Sequence, residues 1–268
     1  MPSTTLLKRD WEKDHVYLVQ FPRPGLVPTP SPFALKLETW LRMSDIPYTN
    51  INNNFTKMSS RGQIPFIELN GRQFPDSNMI IEQLTKEFHK EHLDYLQPQE
   101  RATARAFHAL IESHLTWISL YSRSQDNAWL ATDQGYGQQI TGVKGFFFKN
   151  VLLGQMRKKL TNACTIQGIA RLSHEEIIDW AKKDLEAVSA QLGGQQYLMG
   201  DRVTTLDATA FGHLVQLLYT PQFTEEIKAF ITTTTPNIVS YVERIKQQYW
   251  PDWDEATKNR SLDTKWKL

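Results

Sequence analysis

The sequence predicts two parts: a small mixed α/β domain at residues 15–92 and an all-helical domain at residues 97–255, with terminal extensions at 1–14 and 256–268. Over residues 15–92, runs of β-branched and aromatic residues alternate with helical periodicity. From about Gln97 only helical periodicity remains. The chain has 268 residues, 40% of them hydrophobic, and is therefore long enough to fill the cores of both parts.

Each element of the α/β part has its own signal. The segment HVYLVQF (residues 15–21) predicts the first strand, which ends in a loop dense in proline and glycine. Ser31 is suited to cap the helix that follows, with Pro32 at its first position and an end near Ser44. The later elements are predicted strands at residues 48–52, 65–69 and 73–74, a hairpin turn at Asn70-Gly71, and a helix at residues 76–88.

The second part shows helical periodicity with capping or breaking residues between the periodic segments. Residues 130–144 are rich in glycine and glutamine and predict a surface loop or an irregular excursion of the chain. The predicted helices cover residues 101–123, 153–164, 173–192, 204–219 and 235–249.

Charge and cysteine content exclude several classes of function. Lys and Arg number 30 and Asp and Glu 29, a formal net charge of +1, so no general attraction to nucleic acid is predicted. The single cysteine, Cys164, excludes a disulfide framework, a CxxC redox pair and a cysteine-rich zinc site, and is predicted to be a buried small residue. No apolar run reaches the length of a membrane-spanning helix. We therefore expect a cytoplasmic protein without a metal site or a transmembrane segment.

Three short motifs are more specific. The segment GQIPF (residues 62–66) stands at the entrance to the third predicted strand. Asp76-Ser77 opens a helix, where N–H groups and a hydroxyl suit a carboxylate and the Asp76 side chain suits an ammonium group. Asp76 is equally suited to cap that helix. In the segment GDRVTTLD (residues 200–207), Thr204 and Asp207 stand three residues apart, as a reciprocal helix cap requires.

With the order of the two parts, these motifs resemble the glutathione transferase superfamily. The segments FPRPGLVPTPSPFALKLETWLRMSDIPY and ERIKQQYWPDWDE resemble its failed axon connections and metaxin-related branch. The resemblance implies an N-terminal thioredoxin-like domain and a C-terminal all-helical glutathione transferase domain. It also implies glutathione as co-substrate, a small hydrophobic electrophile as second substrate, and allows a homodimer.

The same resemblance assigns roles to individual residues. Ile64, before a cis-proline at Pro65, would pair through its backbone with the cysteinyl part of glutathione, and Gln63 would contact the glycyl backbone. Asp76 and Ser77 would hold the γ-glutamyl end.

The residue that activates the glutathione thiol is predicted partly from what the sequence lacks. The end of the first strand carries no tyrosine, and the segment SPFA (residues 31–34) lacks both cysteines of a CPFC-like motif, which excludes dithiol chemistry. In the superfamily that these motifs resemble, the other thiol-activating donor is a serine or cysteine at the start of the first helix. The resemblance therefore implies Ser31 as the catalytic hydroxyl, assisted by the helix dipole. Two alternatives stay open: Thr29 contacts the thiol instead, or Ser31 serves only as a helix cap.

Two functions are compatible with these residues. The first is a glutathione transferase that conjugates or reduces small electrophiles, and the second is a non-catalytic, metaxin-like interaction protein that kept the fold. Retention of both glutathione motifs favours the first. Arg23, Lys57 and Arg61 flank the predicted pocket in sequence, and one of them could meet the glycine carboxylate. Solvated surface charge is nevertheless the predicted state of each.

Overall fold

The computed structural model describes residues 4–221 and 225–263, so part of each predicted terminal extension, including Trp266, lies outside the described residues. Within the described ranges the first part of the chain contains four strands and two α-helices. These elements are β1 (Val16–Gln20), α1 (Pro32–Met43), β2 (Tyr48–Asn52), β3 (Phe66–Leu69), β4 (Arg72–Pro75) and α2 (Ser77–Glu87).

The four strands form one mixed sheet in the order β2-β1-β3-β4. β1 pairs in parallel with β2 and antiparallel with β3, which in turn pairs antiparallel with β4. Every residue of β1 is buried, as expected for a central strand covered on both faces. The sheet and both helices share a core that includes Leu18, Trp40, Ile67 and Ile80. The predicted α/β domain with a thioredoxin-like strand order is confirmed.

The rest of the described chain consists of helices and the loops that connect them, with one isolated β-bridge between Tyr197 and Gly200 in the described ranges. All five predicted helices are confirmed, with ends displaced by no more than three residues, and the first is divided by a π-helical turn at Ile111–Leu115. None of the described helices combines the length and apolar character needed to cross a membrane. The helices are α3 (Pro98–Leu110), α4 (Thr116–Gln125), α5 (Gly142–Phe147), α6 (Leu153–Gln167), α7 (His174–Leu192), α8 (Thr205–Tyr219), α9 (Glu225–Thr233), α10 (Pro236–Tyr249) and α11 (Trp253–Thr257).

The prediction of a loop over residues 130–144 is wrong at its C-terminal end. Helix α5 begins at Gly142 and continues through a π-helical turn (Phe148–Leu152) into α6. Glycine has low helix propensity, so the local signal here is weak. Phe148 and Leu153 pack into a separate small core with Trp129, and this tertiary contact supports the helix. Helix α9 was not predicted either.

Helix α1 belongs to the sheet domain but packs closely against α8 of the helical part. A Cβ atom added at Gly212 in α8 would lie 2.5 Å from the Pro32 carbonyl oxygen and 2.7 Å from the Lys36 backbone nitrogen. Leu35 of α1 is part of the helical core. The close approach therefore sets the position of the N-terminus of α1 relative to the helical part.

A buried ion network joins α1 to the C-terminal segment. The Arg23 guanidinium donates to both Glu38 carboxylate oxygens, at 2.8 and 2.6 Å. Arg42 makes a bidentate pair with Asp252 and stacks on the Trp250 ring, with its Cζ 3.6 Å from the ring centroid. Arg23 is thus 1% exposed, and the prediction that it is a solvated charge is wrong. The network lies where the two branch-specific segments of the sequence meet.

Candidate functional site

A cavity of about 370 Å³ opens at the N-termini of α1 and α2. The five residues predicted to hold glutathione all line it, although they come from two separate segments of the chain. The helical part contributes one residue, from the π-helical turn before α4. The lining residues are Phe33, Gln63, Ile64, Pro65, Asp76, Ser77, Asn78 and Glu112.

The loop before β3 presents free backbone groups to this cavity. The Ile64-Pro65 peptide bond is cis, as the resemblance implies. In the part of the chain that the structure describes, neither the N–H nor the C=O group of Ile64 has a backbone or side-chain partner. Both groups can therefore pair with an extended peptide in the manner of an added strand. Gln63, beside them, is exposed.

Asp76 lines the same cavity from the N-terminus of α2. Its backbone conformation is unusual, with φ of 73° and ψ of 117°. Conformations of this kind in residues other than glycine concentrate at functional sites. Its Oδ1 atom accepts from the N–H groups of Asn78 (3.0 Å) and Met79 (3.3 Å), so Asp76 caps α2 as predicted. Its Oδ2 atom makes no hydrogen bond to the described residues, which leaves one carboxylate oxygen for a ligand. Ser77, next to it, is buried at the helix N-terminus.

A buried polar cluster lies against the cavity and connects α1, α2 and the helical part. The Lys36 ammonium donates to Asn78 Oδ1 at 2.8 Å and also contacts the Glu112 carboxylate. The Asn78 amide donates to Glu112 Oε2 at 2.7 Å, and His108 Nε2 lies 3.1 Å from Asn78 Oδ1. Asn78 is thereby held in position beside Asp76 and Ser77.

The pKa values in this cluster are set by burial and by the ion pair. Burial lowers the pKa of Lys36, and Glu112 opposes that change only in part. For Glu112, burial acts to raise the pKa, but the charge of Lys36 and the hydrogen bonds from Lys36 and Asn78 are among the interactions that together outweigh it, and the pKa is lowered. The ring of His213, from α8, packs edge-on against Phe33 next to this cluster. Burial lowers the pKa of His213 to about 4, so its ring is neutral at physiological pH. Lys36 and Glu112 therefore form an ion pair that offsets part of the cost of burying the two charges.

Ser31 lies at the N-cap of α1, half-buried, and is not part of the cavity lining. Its Oγ accepts from the Ala34 N–H at 3.3 Å, which confirms that Ser31 caps α1. This hydrogen bond does not decide whether Ser31 also contacts a ligand. A serine hydroxyl has two acceptor positions and one proton, and the cap uses only an acceptor position. The proton remains available to a ligand. Thr29, the alternative, is fully buried and accepts from the Ser31 N–H at 3.3 Å, so its hydroxyl has no access to a ligand.

Sequence reasoning missed Lys36, Asn78 and Glu112. A signal existed for Lys36, which occurs on the apolar face of the α1 segment FALKLETW, where a lysine requires a buried partner. Glu112 stands four residues after His108 on the same helical run, but the spacing alone does not reveal its partners. Lys57 and Arg61 are exposed, as predicted.

A thioredoxin-like domain that opens such a cavity toward a helical domain defines the class of glutathione transferases. Models of the family's two domains match this chain: "Glutathione S-transferase N-terminal domain" over residues 32–129 and "Glutathione S-transferase, C-terminal domain" over residues 181–245. A solved beta-etherase, LigF from Sphingobium sp. strain SYK-6, shares the fold with a TM-score of 0.60 and 18% identity, covering 91% of this chain and 98% of that one. The chain belongs to the glutathione S-transferase family.

Within this family the chain is similar to three kinds of relative. Failed axon connections of Drosophila melanogaster is 36% identical, over 96% of this chain and 63% of the relative, so the chain spans less than two thirds of that protein. The isoprene-epoxide glutathione S-transferase of Rhodococcus sp. (strain AD45) is 30% identical, over 83% of this chain and 94% of the relative. Metaxin-2 of Mus musculus is 24% identical, over 83% of this chain and 84% of the relative.

Proposed function

We propose that this protein binds glutathione in the cavity and joins its sulfur atom to a small hydrophobic electrophile, so that the whole tripeptide is transferred. The observation that carries the proposal is that Ile64 presents an unpaired backbone edge opposite the free carboxylate oxygen of Asp76. Glutathione has an extended cysteinyl backbone for the first group and an ammonium for the second. The cavity volume of about 370 Å³ is adequate for one small ligand.

Each part of the tripeptide has a matching group. The α-ammonium meets Asp76 Oδ2, and the α-carboxylate meets the Ser77 hydroxyl at the positive end of α2. The cysteinyl N–H and C=O pair with the backbone of Ile64, and Gln63 contacts the glycyl end. This pose directs the thiol toward the N-terminus of α1.

The Ser31 hydroxyl and the α1 dipole then lower the pKa of the bound thiol from its usual value of about 8.5. The thiolate attacks an electrophilic carbon. With an epoxide, the substrate class in the name of the Rhodococcus relative, a C–S bond forms, the C–O bond breaks and the ring oxygen takes a proton from water.

The first prediction concerns the charge of Asp76. Asp76→Asn keeps an oxygen that can cap α2 and a residue that tolerates positive φ, but removes the partner of the ammonium group. We expect glutathione affinity to fall about tenfold or more, because an ion pair to a partly buried ammonium is lost. Isothermal titration calorimetry measures this. Asp126→Asn is the control, because Asp126 also accepts from a backbone N–H two residues later but lies on the surface. Equal affinities in all three proteins would contradict the assignment.

The second prediction concerns Ser31. Ser31→Ala should leave glutathione affinity nearly unchanged but raise the pKa of the bound thiol by about one to two, since a hydrogen bond to a charged group contributes about 1.5–3 kcal/mol. Thiolate absorbance against pH measures it, and conjugation of a small epoxide at neutral pH should slow accordingly. Ser173→Ala removes a comparable cap, on α7, and controls for loss of helix stability. An unchanged thiol pKa in Ser31→Ala would show that Ser31 serves only as a cap.

A non-catalytic interaction protein is the second candidate, and one observation favours it: Ser31 is absent from the cavity lining. Similarity to Metaxin-2 points the same way. The calorimetric titration described above separates the two candidates. For the non-catalytic interaction protein, we expect no detectable binding at millimolar glutathione. A cytoplasmic location and a homodimer stay predictions, which cell fractionation and light scattering test.

A further inference from the structure

The region around α5 and α6 carries a strongly one-sided charge. Residues 134–173 contain no Asp or Glu but six basic residues: Lys144, Lys149, Arg157, Lys158, Lys159 and Arg171. The whole chain has a formal net charge of only +1, so this region departs from the average. All six are exposed, and none forms an ion pair within the part of the chain that the structure describes.

Large apolar side chains protrude from the start of the same helical segment. Val143, Phe146 and Phe147 are 87%, 71% and 49% exposed, and we call these three residues the apolar tip. Their i, i+3, i+4 spacing places them on one face of the helix, and Lys144 and Lys149 lie to either side of that face. The third phenylalanine of the run, Phe148, is buried and anchors the helix in the small core described above.

A cluster of large apolar side chains on a solvent-exposed surface, such as the apolar tip, indicates an interaction site. We propose that the apolar tip and the basic residues of the continuous helical segment from α5 to α6 dock the protein on an anionic phospholipid bilayer. The tip inserts between lipid headgroups while the flanking lysines contact the lipid phosphates. This inference does not depend on glutathione binding.

The surroundings favour a bilayer over a protein partner. An open groove on α6, in the same helical segment, is lined by Arg157, Lys158, Lys159 and small or polar residues, with no large apolar side chain to hold a partner's hydrophobic residue. Basic residues around protruding phenylalanines match a surface that is negative outside and apolar inside. The buried Phe148 also gives the tip a firm base on the folded domain.

Co-sedimentation with vesicles tests the proposal on the full chain. We expect binding to phosphatidylcholine vesicles that contain phosphatidylserine, weaker binding to pure phosphatidylcholine, and a loss of binding as salt rises. The double variant Phe146→Ser with Phe147→Ser should bind at least about tenfold more weakly. The double variant Lys144→Gln with Lys149→Gln should also lose roughly tenfold or more, and only on the anionic vesicles.

Matched variants separate these effects from unspecific changes. Tyr95→Ser alters another exposed aromatic residue, and Lys13→Gln with Lys86→Gln removes the same charge elsewhere. Both controls should bind like the unchanged protein, and circular dichroism confirms that every variant is folded. The proposal would be overturned if the wild-type protein did not bind anionic vesicles. It would also be overturned if the double variant Phe146→Ser with Phe147→Ser bound them as strongly as the wild type. Self-association that disappears with the tip, without vesicle binding, would overturn it in favour of an interface between copies.

Discussion

Replacing Glu38 with glutamine is expected to lower the free energy of unfolding by about 3–5 kcal/mol, the usual cost of breaking a buried ion pair from one side. Glutamine has nearly the same shape, so the loss comes from the charge. Arg23 and Arg42 would both remain buried without their shared carboxylate. Urea denaturation followed by tryptophan fluorescence measures the change.

An exposed pair provides the control for Glu38→Gln. Glu226→Gln breaks the Lys182–Glu226 ion pair on the surface, where about 1 kcal/mol or less is expected. A loss at Glu38 no larger than the loss at Glu226 would mean that the buried network contributes nothing beyond its packing.

The same network predicts how stability depends on pH. Burial acts to raise the pKa of Glu38, but Arg23 and the other donors outweigh it, and the folded-state pKa is about 2. Because this value lies below the unfolded value of about 4.5, the carboxylate stabilises the fold above that pH. The contribution is lost as pH falls from about 4.5 toward 2. The stability difference between wild type and Glu38→Gln should shrink over this interval, and an unchanged difference would contradict the assignment.

Gly212→Ala is expected to destabilise the protein by about 3 kcal/mol, the upper part of the range for overpacking. The new methyl group would meet the backbone of α1 at Pro32 and Lys36, and backbone atoms cannot move aside as a flexible side chain can. Because α1 carries both Phe33 and the Ser31 cap, a shift should also weaken glutathione binding. Thermal denaturation and calorimetry measure the two effects.

Gly154→Ala is the matched control for that helix substitution. A Cβ at Gly154 in α6 meets nothing within 4 Å, so alanine there should stabilise the protein by up to about 1 kcal/mol through helix propensity. If both substitutions stabilised the protein, α1 and α8 would have room between them and the close approach would not position the site.

The local motifs of the site could be predicted because each is contiguous. Gln63, Ile64 and Pro65 are neighbours in sequence, as are Asp76 and Ser77, so each short motif can be recognised from the sequence without knowledge of the fold. Glu112 could not be predicted, because it reaches Lys36 across 76 residues. The sequence around Lys36 contains no signal that points to Glu112 as its partner, and the sequence around Glu112 contains none that points to Lys36.

The sequence by itself determined the order of the four strands, the positions of five helices, the lack of a second cysteine for dithiol chemistry, and Ser31 as the cap of α1. These features depend on local periodicity and residue type. The tertiary structure decided which charges are buried. Arg23 follows a strand in a proline-rich loop and looks like a surface residue, yet it pairs with Glu38 inside the fold. Arg42 reaches Asp252 across 210 residues. A buried charge is tolerated only where a partner arrives through space, and that partner's position is a property of the packed chain.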